Sequence, residues 1–134
     1  MAEGPPPPRD ADVLVDVELE HGLLWLALVN LGELPAHRVR VRLEPPLRGL
    51  GGRKRLDRLA LFRRLELLAP GRRIRTILDR PSLLFARDEP TRFRATATWV
   101  TDAGRRGRRV VEHDLEIYRD LAVLDPEVPP RAQA

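Results

Sequence analysis

Apolar and polar residues alternate with a period of two along most of this chain, the spacing of strands buried on one face. In residues 12–20, "DVLVDVELE", Val13, Val15, Val17 and Leu19 share one face, while Asp12, Asp16, Glu18 and Glu20 share the other with Leu14. His21-Gly22 suits a two-residue hairpin turn, because glycine supplies the positive φ such turns need. Residues 23–31 then return as the second strand. Pairing through that turn sets Leu19 opposite Leu24, Val17 opposite Leu26 and Val15 opposite Leu28 as the core side. Leu23, Trp25, Ala27 and Val29 fall on the outer side with Leu14.

Asn30-Leu31-Gly32 breaks that strand. In the next, Arg38, Arg40 and Arg42 alternate with Val39, Val41 and Leu43 until Pro45-Pro46, which cannot donate to a ladder. Residues 47–55 read as a loop. Residues 56–69 predict a short irregular or helical piece followed by a strand over 65–68. Pro70-Gly71 suits the centre of a type II turn, and 72–79 is the next strand. A helix of one to two turns follows over 80–90, with Asp79 as N-cap and Pro81 in the first turn. Residues 91–101 alternate cleanly, with Phe93, Ala95, Ala97 and Trp99 on one face and Arg92, Arg94, Thr96 and Thr98 on the other. "DAGRRGR" is the turn into a last strand over 109–118, with Val111, His113, Leu115 and Ile117 inward. About seven strands punctuated by Gly and Pro predict an all-β fold, a two-sheet antiparallel sandwich with one short helix before the penultimate strand.

The length of 134 residues fits one domain. The proline-rich ends, 1–11 and 122–134, predict disordered flanks around a sandwich spanning 12–121. There is no cysteine, which excludes disulfides, thiolate catalysis and cysteine-ligated zinc. No apolar run reaches the ~18 residues of a bilayer span, so no membrane insertion is expected. "MAEGPPPPRD" lacks the basic start and apolar run of a signal peptide, which predicts a cytoplasmic location; a place in a larger surface or virion assembly stays open.

Three stretches together resemble a known pattern. "VNLGELPAHRVRVRLEPP", with Asn30, Gly32, Ala36 and Val39, resembles the N-x-G…A-x-x-V signature of bacterial immunoglobulin-like domains of the CARDB and related adhesion-module type. "LLAPGRRIRT", with Leu68, Pro70 and Gly71, is similar to their L-x-P-G entry to strand E, and "TRFRATATWVTDAG" into "HDLEIYRDL" is similar to the final hairpin of related bacterial proteins. The resemblance implies a single immunoglobulin-like sandwich, with its helix between strands E and F, that works without catalysis. It supplies no catalytic residues.

Catalytic chemistry finds little footing. Ser82 is the only serine and sits between Pro81 and Leu83, a helix-start position. His21, His37 and His113 match no zinc spacing; a site joining His37 and His113 to Glu33 or Asp114 is the one metal arrangement the sandwich would permit. The expectation is no enzyme, no metal and no cofactor. Glu112, Asp114 and Glu116 read instead as cross-strand partners of arginine, with Arg94 opposite Glu116 and Thr96 opposite Asp114. Arg38, Arg40 and Arg42 lie on the same wet face, balanced by those neighbours.

Two surfaces remain as candidates. An apolar patch of Leu14, Leu23, Trp25 and Val29 is covered either by residues 56–68, by a chain end or by a partner. In an immunoglobulin-like sandwich the loops at one end gather Arg72, Arg73, Arg105, Arg106, Arg108 and Arg109, which suit an anion. The "GGRKR" loop falls at the opposite end. The net charge of +4 permits polyanion binding without requiring it. The expected function is a structural or protein-interaction module, with a protein partner or self-association; polyanion or nucleic-acid binding through the loop arginines is the alternative.

Overall fold

The chain folds as two antiparallel sheets packed face to face, in a computed structural model that describes residues 4–123. Strands β1 (Val13–Glu20), β2 (Leu23–Asn30) and β3 (Ala36–Glu44) are followed by a small ribbon, β4 (Arg48–Gly49) with β5 (Lys54–Arg55). A 3-10 turn (Leu56–Arg58) and helix α1 (Ala60–Arg63) lead into β6 (Leu65–Leu68) and β7 (Arg73–Asp79). Helix α2 (Pro81–Ala86), β8 (Arg92–Val100), β9 (Arg106–Asp114), a second 3-10 turn (Leu115–Ile117) and α3 (Tyr118–Val123) complete the order. One sheet runs β1-β2-β7 and the other β6-β3-β8-β9. The proline-rich tail expected from residue 122 lies outside the described residues from 124 onward. The lead is held from Arg9: its N–H donates to Glu33 Oε1 and its carbonyl accepts from Glu33 N, while Ala11 is buried.

The first hairpin has the register its alternation predicts, with Leu19 opposite Leu24, Val17 opposite Leu26 and Val15 opposite Leu28. Those side chains, with Leu78, meet Val39, Val41, Leu43, Phe93, Ala95, Ala97 and Trp99 from the facing sheet to make the core. The segment over 56–68 does not lie on the outer face of the first sheet. It sends Leu56, Phe62 and Leu68 into the core between the sheets.

Asn30 explains the break after β2. Its buried Oδ1 accepts from the N–H groups of Asp12 and Gly32, and its Nδ2 donates to the carbonyls of Leu34 and Leu68. All of its amide capacity is used in tying the lead, two loops and β6 together. Gly32 follows because a Cβ there would lie 2.0 Å from the Asp10 carbonyl oxygen.

Three local expectations are corrected. Strand β3 is not uniformly alternating: Arg38 and Val39 together face Trp99, and Arg38 takes φ 49°. This bulge lets Ala36 and Val39 both point inward, which simple alternation forbids. The N-cap of α2 is Arg80, not Asp79, although Pro81 does open the helix. Asp79 is buried and accepts from Gly51 N and Arg80 N, with Arg87 Nη1 at 2.6 Å. Burial would lower the Arg87 pKa, and its hydrogen bonds to Glu89 and Asp79 outweigh that and raise it. The last hairpin is tighter than expected, because β9 starts at Arg106 and its loop covers only 101–105. Arg94 therefore faces Glu112 rather than Glu116, and Thr96 faces Val110 rather than Asp114. Leu115 is buried, but in the 3-10 turn, and Ile117 is exposed.

Candidate functional site: two outer faces and a free edge

Each sheet has one face in the core and one outside. The outer face of β1-β2-β7 carries Leu14, Leu23, Trp25 and Val29 on one side of the sheet, as expected, but it is not bare. Val29 is 5% exposed, and the other three are half-buried. The cover comes from β7: the Arg75 guanidinium sits 4.1 Å from the centre of the Trp25 ring and reaches Glu18 at 3.2 Å and Glu20 at 2.6 Å. Arg73 also pairs with Glu18. The register makes this possible, because Ala27 lies between Asp16 and Arg75, and Val29 between Leu14 and Arg73. Long arginine stems lie over the apolar row while their charged ends meet the acids of β1.

The loops over 31–35, 69–72 and 101–105 do meet at one end. Asn30 bonds the backbone of Gly71 and Arg72, and His37 Nε2 donates to Asp102 Oδ1 at 2.6 Å. The six loop arginines divide there. Arg73 goes to Glu18, and Arg109 pairs with Asp12 at 3.1 Å. Arg72, Arg105, Arg106 and Arg108 are exposed, and none forms an ion pair with another described residue. The Arg9 N–H holds the Glu33 carboxyl below its ordinary range despite some burial, and Arg9 is its ion-pair partner. The "GGRKR" segment lies at the other end, where Leu50 N bonds Leu78 O.

His37 and His113 are far apart in role. His113 Nε2 donates to the Val15 carbonyl at 2.8 Å, and its ring lies 5.2 Å from that of Phe93. Among the described residues no three acids or histidines converge on a metal position. Ser82 is the second residue of α2, which follows the far end of β7, away from the His37–Asp102 pair. No helix among the described residues is long and apolar enough to cross a membrane.

Among the described residues, the outer face of the four-stranded sheet has no covering element. Across it run the rows Arg40, Thr98, Arg108; Arg42, Thr96, Val110; and Glu44, Arg94, Glu112. Arg40 reaches Glu66 at 3.5 Å and Arg42 reaches Glu44 at 3.7 Å, so this arginine row is a solvated face with local counter-charges. The charge changes along the strands, from basic at the loop end to acidic at the other. Sequence reasoning placed that change across the strands, because it started β9 three residues late. Towards the acidic end an open depression of about 580 Å³ is lined by Arg92, Arg94, Glu112, His113 and Asp114 among others, and its charges pair within the chain.

Strand β9 ends this sheet, and its hydrogen bonds have a definite parity. Thr101 N bonds Arg105 O at one end of the hairpin and Leu115 N bonds Thr91 O at the other. In an antiparallel ladder, residues that bond the neighbour alternate with residues whose N–H and C=O point away. Gly107, Arg109, Val111 and His113 therefore face β8. The backbone groups of Arg106, Arg108, Val110, Glu112 and Asp114 point to the free edge, with no partner among the described residues. Gly107 must stay a glycine, since a Cβ there would lie 2.1 Å from the Trp99 ring. Val110 is 40% exposed in the middle of the edge. Sequence reasoning missed this edge; the signal was the hairpin register, which depends on the loop length.

A family model described as a domain of unknown function, DUF8453, matches residues 8–125. Neither the curated proteins nor the solved structures contain a match to the chain.

Proposed function

The chain belongs to DUF8453, whose description carries no function, and we propose from its own surface that it is a non-enzymatic protein-interaction module working through the β9 edge and the adjoining outer face. The observation that supports this is the exposed edge: five alternate outward-pointing backbone positions around a half-exposed valine, next to a sheet face that no other described element covers. Main-chain groups in such a row bond an added strand, and alternate side chains select it. The Trp25 face, in contrast, already has its cover. Kinship with immunoglobulin-like adhesion modules belongs to the same proposal; the order of the Asn30/Gly32 break, the Pro70-Gly71 turn and the last hairpin supports it.

A photo-reactive residue at Val110, at Trp25 or at Arg105, irradiated in the native source, tests the reading. Protein adducts from Val110 and none from Trp25 are the expected result. An absence of protein adducts at Val110 overturns it.

A second reading has its own support in Arg72, Arg105, Arg106 and Arg108, which lack described ion pairs. Guanidinium groups of this kind take phosphate. Retention on heparin that falls steeply with salt and is lost in Arg105→Ala/Arg106→Ala would favour it. Nucleic-acid adducts from Arg105 would point the same way.

A further inference from the structure

We propose that the partner of the β9 edge is a second copy of this chain, joined antiparallel about a two-fold axis at Val110; this rests on the reading above. The outward positions of β9 read Arg106, Arg108, Val110, Glu112, Asp114. Antiparallel pairing centred on Val110 places Arg106 opposite Asp114 of the other copy, Arg108 opposite Glu112, and Val110 opposite itself. The strand is a charge palindrome of opposite sign about an apolar centre. A two-fold contact needs such self-complementarity, because residue i meets j and j meets i.

The backbone agrees with the same register. In this pairing each matched pair consists of residues whose N–H and C=O point outward, so each pair exchanges both ladder bonds. A shift of one residue would place outward groups against residues already bonded to β8. A shift of two positions along the partner would centre the pairing on Arg109 or Val111; it keeps the parity but sets Val110 against Arg108 or Glu112 and so loses charge matches. A shift that keeps the parity but moves the centre to Arg108 brings like charges together at the axis, which is destabilising. The register at Val110 satisfies backbone parity and charge at once.

The charge state of the edge supports it further. Arg94 bonds only Oε1 of Glu112, through both Nε and Nη2. Arg106 and Arg108 have uncharged neighbours on β8, Val100 and Thr98. The basic half of β9 thus lacks carboxylates within its own sheet, and the acidic half of a second copy supplies them. The product is one continuous sheet of eight strands, β6-β3-β8-β9 joined to its copy through β9.

Sedimentation velocity of the full chain across the micromolar range tests this, together with its urea unfolding. The expected result is a reversible dimer that weakens with salt. Val110→Pro removes an N–H that points away from β8, so it should leave the sheet intact and abolish the dimer. Arg108→Glu places like charge opposite Glu112 on both sides of the axis and should weaken the dimer about tenfold or more. That substitution makes no backbone demand, so it decides the matter even if the proline variant does not fold. Val110→Cys, in a chain with no other thiol, should cross-link on oxidation, because paired Cα atoms about 5.5 Å apart fall within disulfide range. Thr98→Cys, on the same face but one strand inward, should not. A wild-type chain that stays monomeric, or a dimer that both Val110→Pro and Arg108→Glu leave intact, overturns the proposal. In that case protein adducts from Val110 to a different polypeptide would still uphold the interaction reading.

Discussion

Strands β1 and β9 stand on the same side of the sandwich, one at the edge of each sheet, and the chain treats them in opposite ways. Leu31 N bonds Asp12 O, so the even residues of β1 face β2 and the odd ones point outward. Three of those outward groups are capped by side chains. Val15 O accepts from His113, Val17 O accepts from the Tyr118 hydroxyl at 3.2 Å, and Val17 N donates to Asp16 Oδ1. Arg109 closes the same seam on Asp12. The outward groups of β9 have no such caps among the described residues. An unpaired edge is a template for another strand, and proteins usually blunt it. Blunting one edge with residues drawn from the neighbouring strand, while leaving that strand's own edge open, concentrates the molecule's capacity for pairing in one place. The outer faces repeat the contrast, with arginine cover over Trp25 and none over Val110.

The largest effect should come from breaking the parity of β9. Val111→Pro removes an N–H that bonds β8 and leaves the Ala95 carbonyl unpaired, so it should cost about 3 kcal/mol or more. Val110→Pro, one residue away, should change the stability of the dilute monomer by less than about 0.5 kcal/mol. Urea unfolding well below the dimer's concentration range measures both. Equal losses would show that the outward groups of β9 carry bonds after all.

Next in size is the β1 cap. His113→Ala leaves the Val15 carbonyl without its donor and removes a ring packed on Phe93, for a loss of about 2 kcal/mol. The same substitution should also give β1 an edge able to pair, seen in sedimentation velocity as self-association that persists when Val110→Pro is also present. A loss below about 0.5 kcal/mol would mean that water serves this carbonyl as well as the imidazole does.

The contrast between the two edges was only half legible in the sequence. The β1–β2 register followed from strict alternation and a two-residue His21-Gly22 turn, where no other pairing keeps the valines inward. Nothing comparable fixes the last hairpin. Glycine occurs twice in "DAGRRGR", and only the packing of Gly107 under Trp99 decides that the second glycine belongs to the strand. Starting β9 at Arg109 hid both the palindrome and the parity. The bulge at Arg38 was equally hidden, since Arg-Val-Arg-Val alternation continues unbroken through it and only the buried Ala36 requires the extra residue. Six arginines were expected to gather at the loop end, but the ion pairs that divide them span long sequence separations, as with Arg109 and Asp12. The cover over Trp25 also depends on pairing β7 beside β2, a non-local choice that period-two patterning cannot express.

That cover supplies a smaller test. Arg75→Ala removes the guanidinium over Trp25 and two contacts to Glu18 and Glu20, at a cost of about 1–2 kcal/mol. It should also strengthen binding to a hydrophobic-interaction column, because the row from Leu23 to Val29 becomes accessible. Dimer formation should not change, since the surface lies on the other sheet. A shift in the dimer constant would join the two outer faces that the structure keeps separate.

The smallest effect concerns the second β1 cap and carries a pH signature. Tyr118→Phe deletes the hydroxyl that bonds Val17 O, for about 0.5–1.5 kcal/mol. Burial, and secondarily the charge of Asp16, raises the Tyr118 pKa above its ordinary value of 10.0. A pKa raised by folding means that the folded state favours the protonated phenol. The contribution is therefore full below about pH 10 and is lost as the pH rises through the higher folded value, where the phenolate can no longer donate to a carbonyl. The difference in unfolding free energy between wild type and Tyr118→Phe measures this contribution. That difference should be level from neutral pH to about pH 10 and should shrink above it. A difference that stays constant through the alkaline range would mean that the hydroxyl does not cap β1, and that the two edges of this seam are less unequal than their hydrogen bonds indicate.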